Sequence, residues 1–219
     1  DMPCCHPQFQ LFIMDSDGDN IMQLAADLDR SLGESLDNGG SPLQFADDGQ
    51  SLFAMYSDRG STRLGRFYID GTCDEVARDL GSGMNAYAAL GSFGLLQGGA
   101  LVFNQALGNQ LPELYVQPPG KTPRALTEFN SALRSKRQSG EITEFWCKNR
   151  DDDTDIHGWL LRPPHADPTK PLPLILDIHG GPHGDYGDRF WIRNQAMAAA
   201  GYAVLLCNPR GSTSYGHAF

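Results

Sequence analysis

The chain has 219 residues, 40% hydrophobic and 20% charged, an ordinary globular composition with length for one large domain or two small ones. A net charge of −10 with no basic stripe makes the surface repel phosphate, so neither nucleic acid nor an anionic membrane is expected as a partner. No apolar run approaches the ~18 residues of a membrane-spanning helix; the longest, Leu172 to Ile178, is broken by Pro173 and Asp177.

From Phe9 to about Leu126 there is no sustained helical period, only short apolar runs between turn residues, the pattern of an all-β meander. Three stretches share one plan of strand, tight turn and strand. Leu11 to Asp15 leads through Asp17-Gly18 to Gln23-Leu24, and Leu64 to Asp70 leads through Gly71 to Asp79-Leu80. Leu114 to Val116 leads through Pro119-Gly120 to Arg124-Ala125-Leu126. Phe12, Phe67 and Tyr115 are the matching aromatics, and their spacing of about 50 residues suits one four-stranded β-propeller blade per repeat. Phe45 to Leu52 adds a hairpin turned by Asp48-Gly49. Residues 1–126 are expected to form a partial β-propeller of two to three blades.

Residues 127–140 are polar, locally basic through Arg134, Lys136 and Arg137, and lack strand alternation, so they read as a linker with room for a short helix. Ile142 to Cys147 and Ile156 to Arg162 then alternate as two strands around the acidic turn Asp151-Asp152-Asp153, and Pro163-Pro164 ends the second. Leu174 to Ile178 reads as a buried strand. Asp188 reads as the cap of a helix through Ala200, closed by Gly201, and Tyr202 to Cys207 as a second buried strand. Strand, helix and strand form a βαβ unit with parallel strands and a right-handed crossover. Residues 141–219 thus read as the first part of an α/β domain with a mixed sheet.

His179-Gly180-Gly181-Pro182 follows the first strand of that unit, at the carboxyl end, where open α/β sheets place their ligands. Paired glycines reach backbone angles closed to other residues and can aim N–H groups outward at a substrate oxygen. An oxyanion hole needs such donors, fixed in advance where negative charge develops and worth roughly 2.7–4 kcal/mol of barrier each. Comparable His-Gly-Gly turns follow the third strand of lipases and esterases, so these residues point to an α/β-hydrolase; a tight turn without catalytic role is the plainer alternative.

Four segments in this order resemble the prolyl oligopeptidase family of serine peptidases, especially its acylaminoacyl-peptidase-like branch. They are Gly158 to Pro164, Asp177 to Gly184, Ala200 to Val204 and Asn208 to Gly216. The resemblance spans nearly the whole chain and implies a β-propeller ahead of a C-terminal α/β-hydrolase domain, restricting entry to short peptides. In the prolyl oligopeptidase and dipeptidyl peptidase branches a tyrosine hydroxyl donates to the oxyanion where this chain has His179. The resemblance therefore implies a backbone donor at Gly180 or Gly181, with the His179 ring bracing the turn. It also implies supporting roles for Pro182, Asn208, Arg210 and Tyr215, with Arg210 in a loop beside the site. The nucleophilic serine, in a G-x-S-x-G elbow, and its aspartate and histidine are implied to lie beyond Phe219. The chain accordingly reads as an internal stretch, inactive alone.

Other patterns are weaker. Ser214 stands two before Gly216, but the first glycine of an elbow is absent, the segment follows the wrong strand, and relatives usually carry glycine there, so Ser214 is not expected to be the nucleophile. His183 reads as a loop residue. Asp15, Asp17 and Asp19 open like a calcium loop, but Asn20 and Ala26 stand where the loop needs Gly and Glu. Cys4-Cys5-His6 lacks a second pair of ligands. No metal and no cofactor is expected. The five cysteines, Cys4, Cys5, Cys73, Cys147 and Cys207, are odd in number and irregular in spacing, as free thiols of a cytoplasmic protein would be. The expected function is that of a serine peptidase acting on short peptides through an acyl-enzyme, acylaminoacyl-peptidase or dipeptidyl/oligopeptidase-like, with a homo-oligomer of the full-length protein left open. A carboxylesterase and a catalytically dead propeller-hydrolase binding protein are the alternatives.

Overall fold

The computed structural model describes residues 8–32, 43–81, 92–106, 110–180, 184–187 and 189–219. Cys4, Cys5, His6, Gly181, Pro182, His183 and Asp188 lie outside the described residues.

Strands β1 (Leu11–Ile13) and β2 (Met22–Leu24) form an antiparallel pair. Next, β3 (Gln44–Phe45), β4 (Ser51–Asp58), β5 (Ser61–Tyr68) and β6 (Cys73–Arg78) make an antiparallel sheet in chain order. The plan recurs in β7 (Phe93–Leu95), β8 (Leu101–Gln105), β9 (Glu113–Gln117) and β10 (Arg124–Ala125). The three repeated strand-turn-strand stretches are β1-β2, β5-β6 and β9-β10, so in each four-stranded sheet the repeat is the last hairpin. Between β3 and β4 the chain turns through a four-residue loop, 47–50, closed where the Ala46 N–H donates to the Ser51 carbonyl at 2.9 Å, and of Asp48 and Gly49 only the glycine takes positive φ. Gly49 takes φ 64° and its N–H donates to the Ala46 carbonyl at 3.0 Å.

Strand periodicity of two explains how the sheets stack. Leu52, Ala54 and Tyr56 of β4 face Leu11 and Leu24 in one core, while Phe53 and Met55 face Phe93, Leu101 and Phe103 in another. The central strand is thus buried on both faces. Phe67 is fully buried, but Phe12 is 53% exposed and Leu11 takes the inward position of its hairpin, so the aromatic match in the sequence is not a match in packing. Full burial of each large apolar side chain contributes roughly 1.5–3 kcal/mol.

The polar stretch after β10 is tied down before it turns helical. The Glu113 carboxylate accepts from Thr127 Oγ1 at 2.6 Å and from the N–H groups of Phe129 and Asn130 at 3.0 and 2.9 Å. These bonds outweigh burial and hold its carboxyl below the usual range. The single turn α1 (Ser131–Arg134) follows.

The last sheet has the order β11 (Glu141–Lys148), β12 (Asp155–Arg162), β14 (Ala203–Asn208), β13 (Leu174–Asp177). β11, β12 and β14 pair antiparallel, whereas β13 and β14 are parallel and joined through α2 (Ile192–Ala199). Trp159 and Leu161 lie beside Leu206 and Val204 on one face, and Ala198 of α2 covers Leu161 and Val204.

Two expectations are corrected. The first strand of the βαβ unit is not buried throughout: Leu174, Leu176 and Ile178 are exposed. Their alternation puts them on the face opposite α2, which no described helix covers, and a doubly buried parallel strand needs cover on both faces. The helix starts not after Asp188 but at Ile192, with Trp191 as N-cap in an extended conformation and no side-chain cap bond. Phe190 and Trp191 are buried, and the Tyr186 backbone is bonded to Asn208, so this approach is anchored in an irregular path and winds only afterwards.

Candidate active site

The site forms at the carboxyl end of β13, where the chain leaves a parallel pair and its backbone groups leave the ladder. Asp177 ends the strand and anchors α2, accepting from Arg193 Nη2 at 2.8 and 2.6 Å and from Asn194 Nδ2 at 2.8 Å. Ile178 and His179 follow, then Gly180, which is exposed. Among the described residues the Gly180 N–H donates to no acceptor. It is a backbone donor at a strand end with its valence unspent.

The His179 ring is held by Ser212 and Tyr186. Its Nε2 lies 3.0 Å from Ser212 Oγ, and that hydroxyl donates to the Pro209 carbonyl at 2.6 Å, so Nε2 is the donor to Ser212. Nδ1 lies 3.1 Å from the Gly180 carbonyl oxygen, and the Tyr186 ring meets the imidazole edge-on at 5.2 Å. Burial, then Asp177, pushes the Tyr186 phenol far above its ordinary pKa, so it stays neutral.

Behind this turn stands a buried polar support. Asn208, fully buried at the end of β14, accepts from the Tyr186 N–H at 2.7 Å through Oδ1 and donates to the Tyr186 carbonyl at 2.9 Å through Nδ2. Nδ2 also donates to the Tyr215 hydroxyl at 2.7 Å. Tyr215 in turn donates to His157 Nδ1 at 2.7 Å, leaving Nε2 to donate to Glu144 at 2.7 Å. Trp146 stacks on the His157 ring at 3.9 Å. Burial lowers the His157 pKa, against the pull of Glu144, and raises that of Tyr215. Proton order in the chain from Asn208 to Glu144 is therefore fixed.

The sequence-derived residues are not all gathered at the turn. Asn208 and Tyr215 stand behind it as described. Arg210 is directed elsewhere, its guanidinium paired with Asp152 in the β11–β12 turn. Gly181 and Pro182 lie outside the described residues. Ser214 is buried and its Oγ accepts from the Gly60 N–H at 3.1 Å, which engages it away from the His179 ring. Asp15, Asp17 and Asp19 belong to the β1–β2 turn, where Asn20 Nδ2 donates to Asp15 at 2.6 Å. Cys207 is half-buried, and burial pushes its thiol pKa up. Sequence reasoning missed Tyr186 and Ser212. The first has no motif to mark it, and the second lies inside a stretch, Asn208 to Gly216, that the resemblance marks without giving this serine a role.

No family model matches the chain. A peptidase of Bacillus subtilis, the uncharacterized YuxL, is 32% identical over 194 residues, 87% of this chain and 28% of its own. Dipeptidyl-peptidase 5 of Aspergillus fumigatus is 32% identical over 203 residues, 90% of this chain and 26% of its own. The acylaminoacyl peptidase of Pyrococcus horikoshii superposes over 95% of this chain and 29% of its own, with a TM-score of 0.72 and 24% identity. An acylaminoacyl peptidase in complex with Z-Gly-Gly-Phe-chloromethyl ketone superposes over 91% of this chain and 28% of that one, with a TM-score of 0.70 and 25% identity.

The chain is similar in sequence to peptidases, a dipeptidyl-peptidase 5 among them, and in fold to acylaminoacyl peptidases. It spans little more than a quarter of the length of the curated relatives it matches, 28% of the first. Its structural neighbours combine a propeller with a hydrolase domain, and the chain, mostly sheet, superposes on part of that fold.

Proposed function

We propose that this chain is the part of a serine peptidase that carries the oxyanion turn, in a protein that hydrolyses short peptides through an acyl-enzyme. The Gly180 N–H carries the reading: it is exposed and without an acceptor among the described residues, at the carboxyl end of a parallel strand, in a turn whose preceding ring is braced by Ser212 and Tyr186. A donor held in place costs no reorganisation when charge develops on a carbonyl oxygen. In this reading residues 1–126 are propeller blades that narrow access, 127–140 join the domains, and 141–219 begin the hydrolase domain. The serine, aspartate and histidine of the triad follow in the sequence beyond this chain. The names of the relatives favour peptides cut near the amino terminus, as dipeptides or as acylated residues.

The test is labelling of the full-length protein with a fluorophosphonate, together with turnover of N-acetyl-alanine p-nitroanilide and a dipeptidyl p-nitroanilide. One labelled serine and peptide turnover are expected. No labelled serine overturns the peptidase reading, and turnover of simple esters alone replaces it with a carboxylesterase.

A further inference from the structure

The tip of the β4–β5 hairpin is a two-residue turn. Asp58 pairs with Ser61, and Arg59 and Gly60 between them have φ of 50° and 76°. Positive φ at both central positions matches the twist of the strands but leaves both central N–H groups outside the hairpin's own ladder. One residue receives both: Arg59 N–H donates to the Ser214 carbonyl at 2.8 Å and Gly60 N–H to Ser214 Oγ at 3.1 Å. Ser214 is buried and has φ 73°, a conformation that glycine adopts more cheaply. Glycine, however, would leave the Gly60 N–H without its acceptor. Gly60 is buried against Trp159 and the Tyr186 carbonyl, with no room for a Cβ, so water cannot easily replace the hydroxyl.

The loop that hooks this tip also grips the oxyanion turn. Two residues before Ser214, the Ser212 hydroxyl meets His179 Nε2 at 3.0 Å. One residue before it, the Thr213 N–H donates to the Gly184 carbonyl at 3.0 Å, and Thr213 Oγ1 to Asp185 at 3.3 Å. Asp185 also accepts from Ser57 of β4 at 3.1 Å.

We propose that Ser214 is a positioning residue: its two oxygens lock the 209–216 loop to the β4–β5 tip, and through Ser212 and Thr213 that loop holds His179 and Gly184 on either side of the glycine pair. The aim of the Gly180 N–H then depends on a sheet outside the α/β unit. Ser214 touches neither substrate nor nucleophile in this scheme. The catalytic consequence rests on the oxyanion role proposed above; the mechanical coupling does not.

The experiment compares Ser214→Ala, Ser214→Gly and Ser214→Asn in the full-length protein, reading amide hydrogen exchange of peptides spanning 178–187, thermal midpoint, and kcat and KM on N-acetyl-alanine p-nitroanilide. Ser214→Ala and Ser214→Gly are expected to speed exchange at 178–187 at least fivefold and lower kcat three- to tenfold, with KM within twofold. Ser214→Gly, relieved of its positive φ, melts no lower than Ser214→Ala. Ser214→Asn tolerates the left-handed region and supplies an amide oxygen, and recovers at least half of both effects. Unchanged exchange in the first two variants overturns the proposal, as does faster exchange with unchanged kcat in an active enzyme. If the wild-type protein neither turns over nor labels, the peptidase reading falls and exchange alone decides the coupling.

Discussion

Asn208→Ala removes three hydrogen bonds from a fully buried position, and two of them serve the backbone of one residue. The Tyr186 N–H, at 2.7 Å, loses its acceptor, and the Tyr186 carbonyl, at 2.9 Å, its donor. An orphaned buried polar group costs roughly 1–3 kcal/mol, so two of them, partly rescued by a water entering the space of the lost amide, cost about 3 kcal/mol. For a folding unit of 150–250 residues this lowers the thermal midpoint by roughly 6–12 °C. Asn208→Asp separates the two halves of the effect. It keeps an acceptor for the Tyr186 N–H but loses both donations from Nδ2, to Tyr186 O and the Tyr215 hydroxyl, and buries a charge, so it is expected to be at least as destabilising as alanine despite its shape. Differential scanning calorimetry of the full-length protein measures both. An Asn208→Ala midpoint within about 1 °C of wild type would refute the reasoning, because a gap that small corresponds to ~0.5 kcal/mol at most.

Three further outcomes are expected. His179→Ala keeps the Gly180 amide and loses only the brace, so kcat on an acyl-peptide falls about 3–10-fold; a fall of 10²–10³-fold, the cost of deleting an oxyanion donor, would make the imidazole itself the donor. Burial lowers the His157 pKa in the fold, so its neutral form contributes stability present above the unfolded pKa near 6.5 and lost as pH falls through the folded value. His157→Gln should flatten the decline of the thermal midpoint below about pH 6.5, and an unchanged slope would remove His157 from that role. Glu113→Ala releases Thr127, Phe129 and Asn130, so trypsin should cleave at Arg134, Lys136 or Arg137 several-fold faster; wild-type rates would show that the stretch is held by other contacts.

Much of this architecture is written in local pattern. Short apolar runs between glycine-bearing turns announce hairpins because a tight turn and a period of two are properties of neighbouring residues, as on either side of Gly49. The βαβ unit is legible for the same reason, and with it the strand end that carries His179-Gly180. Boundaries and burial are not local. Composition offers Asp188 as a cap, yet the helix starts at Ile192 because Trp191 packs against Trp159 and Leu206 and the Tyr186 backbone is bonded to Asn208, with Phe190 also buried. Leu174, Leu176 and Ile178 form an apolar run, but which of its faces is covered depends on α2 and on nothing in the run itself.

The candidate site divides the same way. The sequence by itself determined that a glycine pair follows a strand and that the surrounding motifs resemble those of a peptidase family. Tertiary structure decided which groups hold the turn. Tyr186 comes from one segment, Asn208 and Ser212 from another, and Ser214 gains a purpose only when a hairpin tip 154 residues away presents two N–H groups to it. A hydrogen bond depends on distance and direction, which the order of residues sets only through the fold that brings them together.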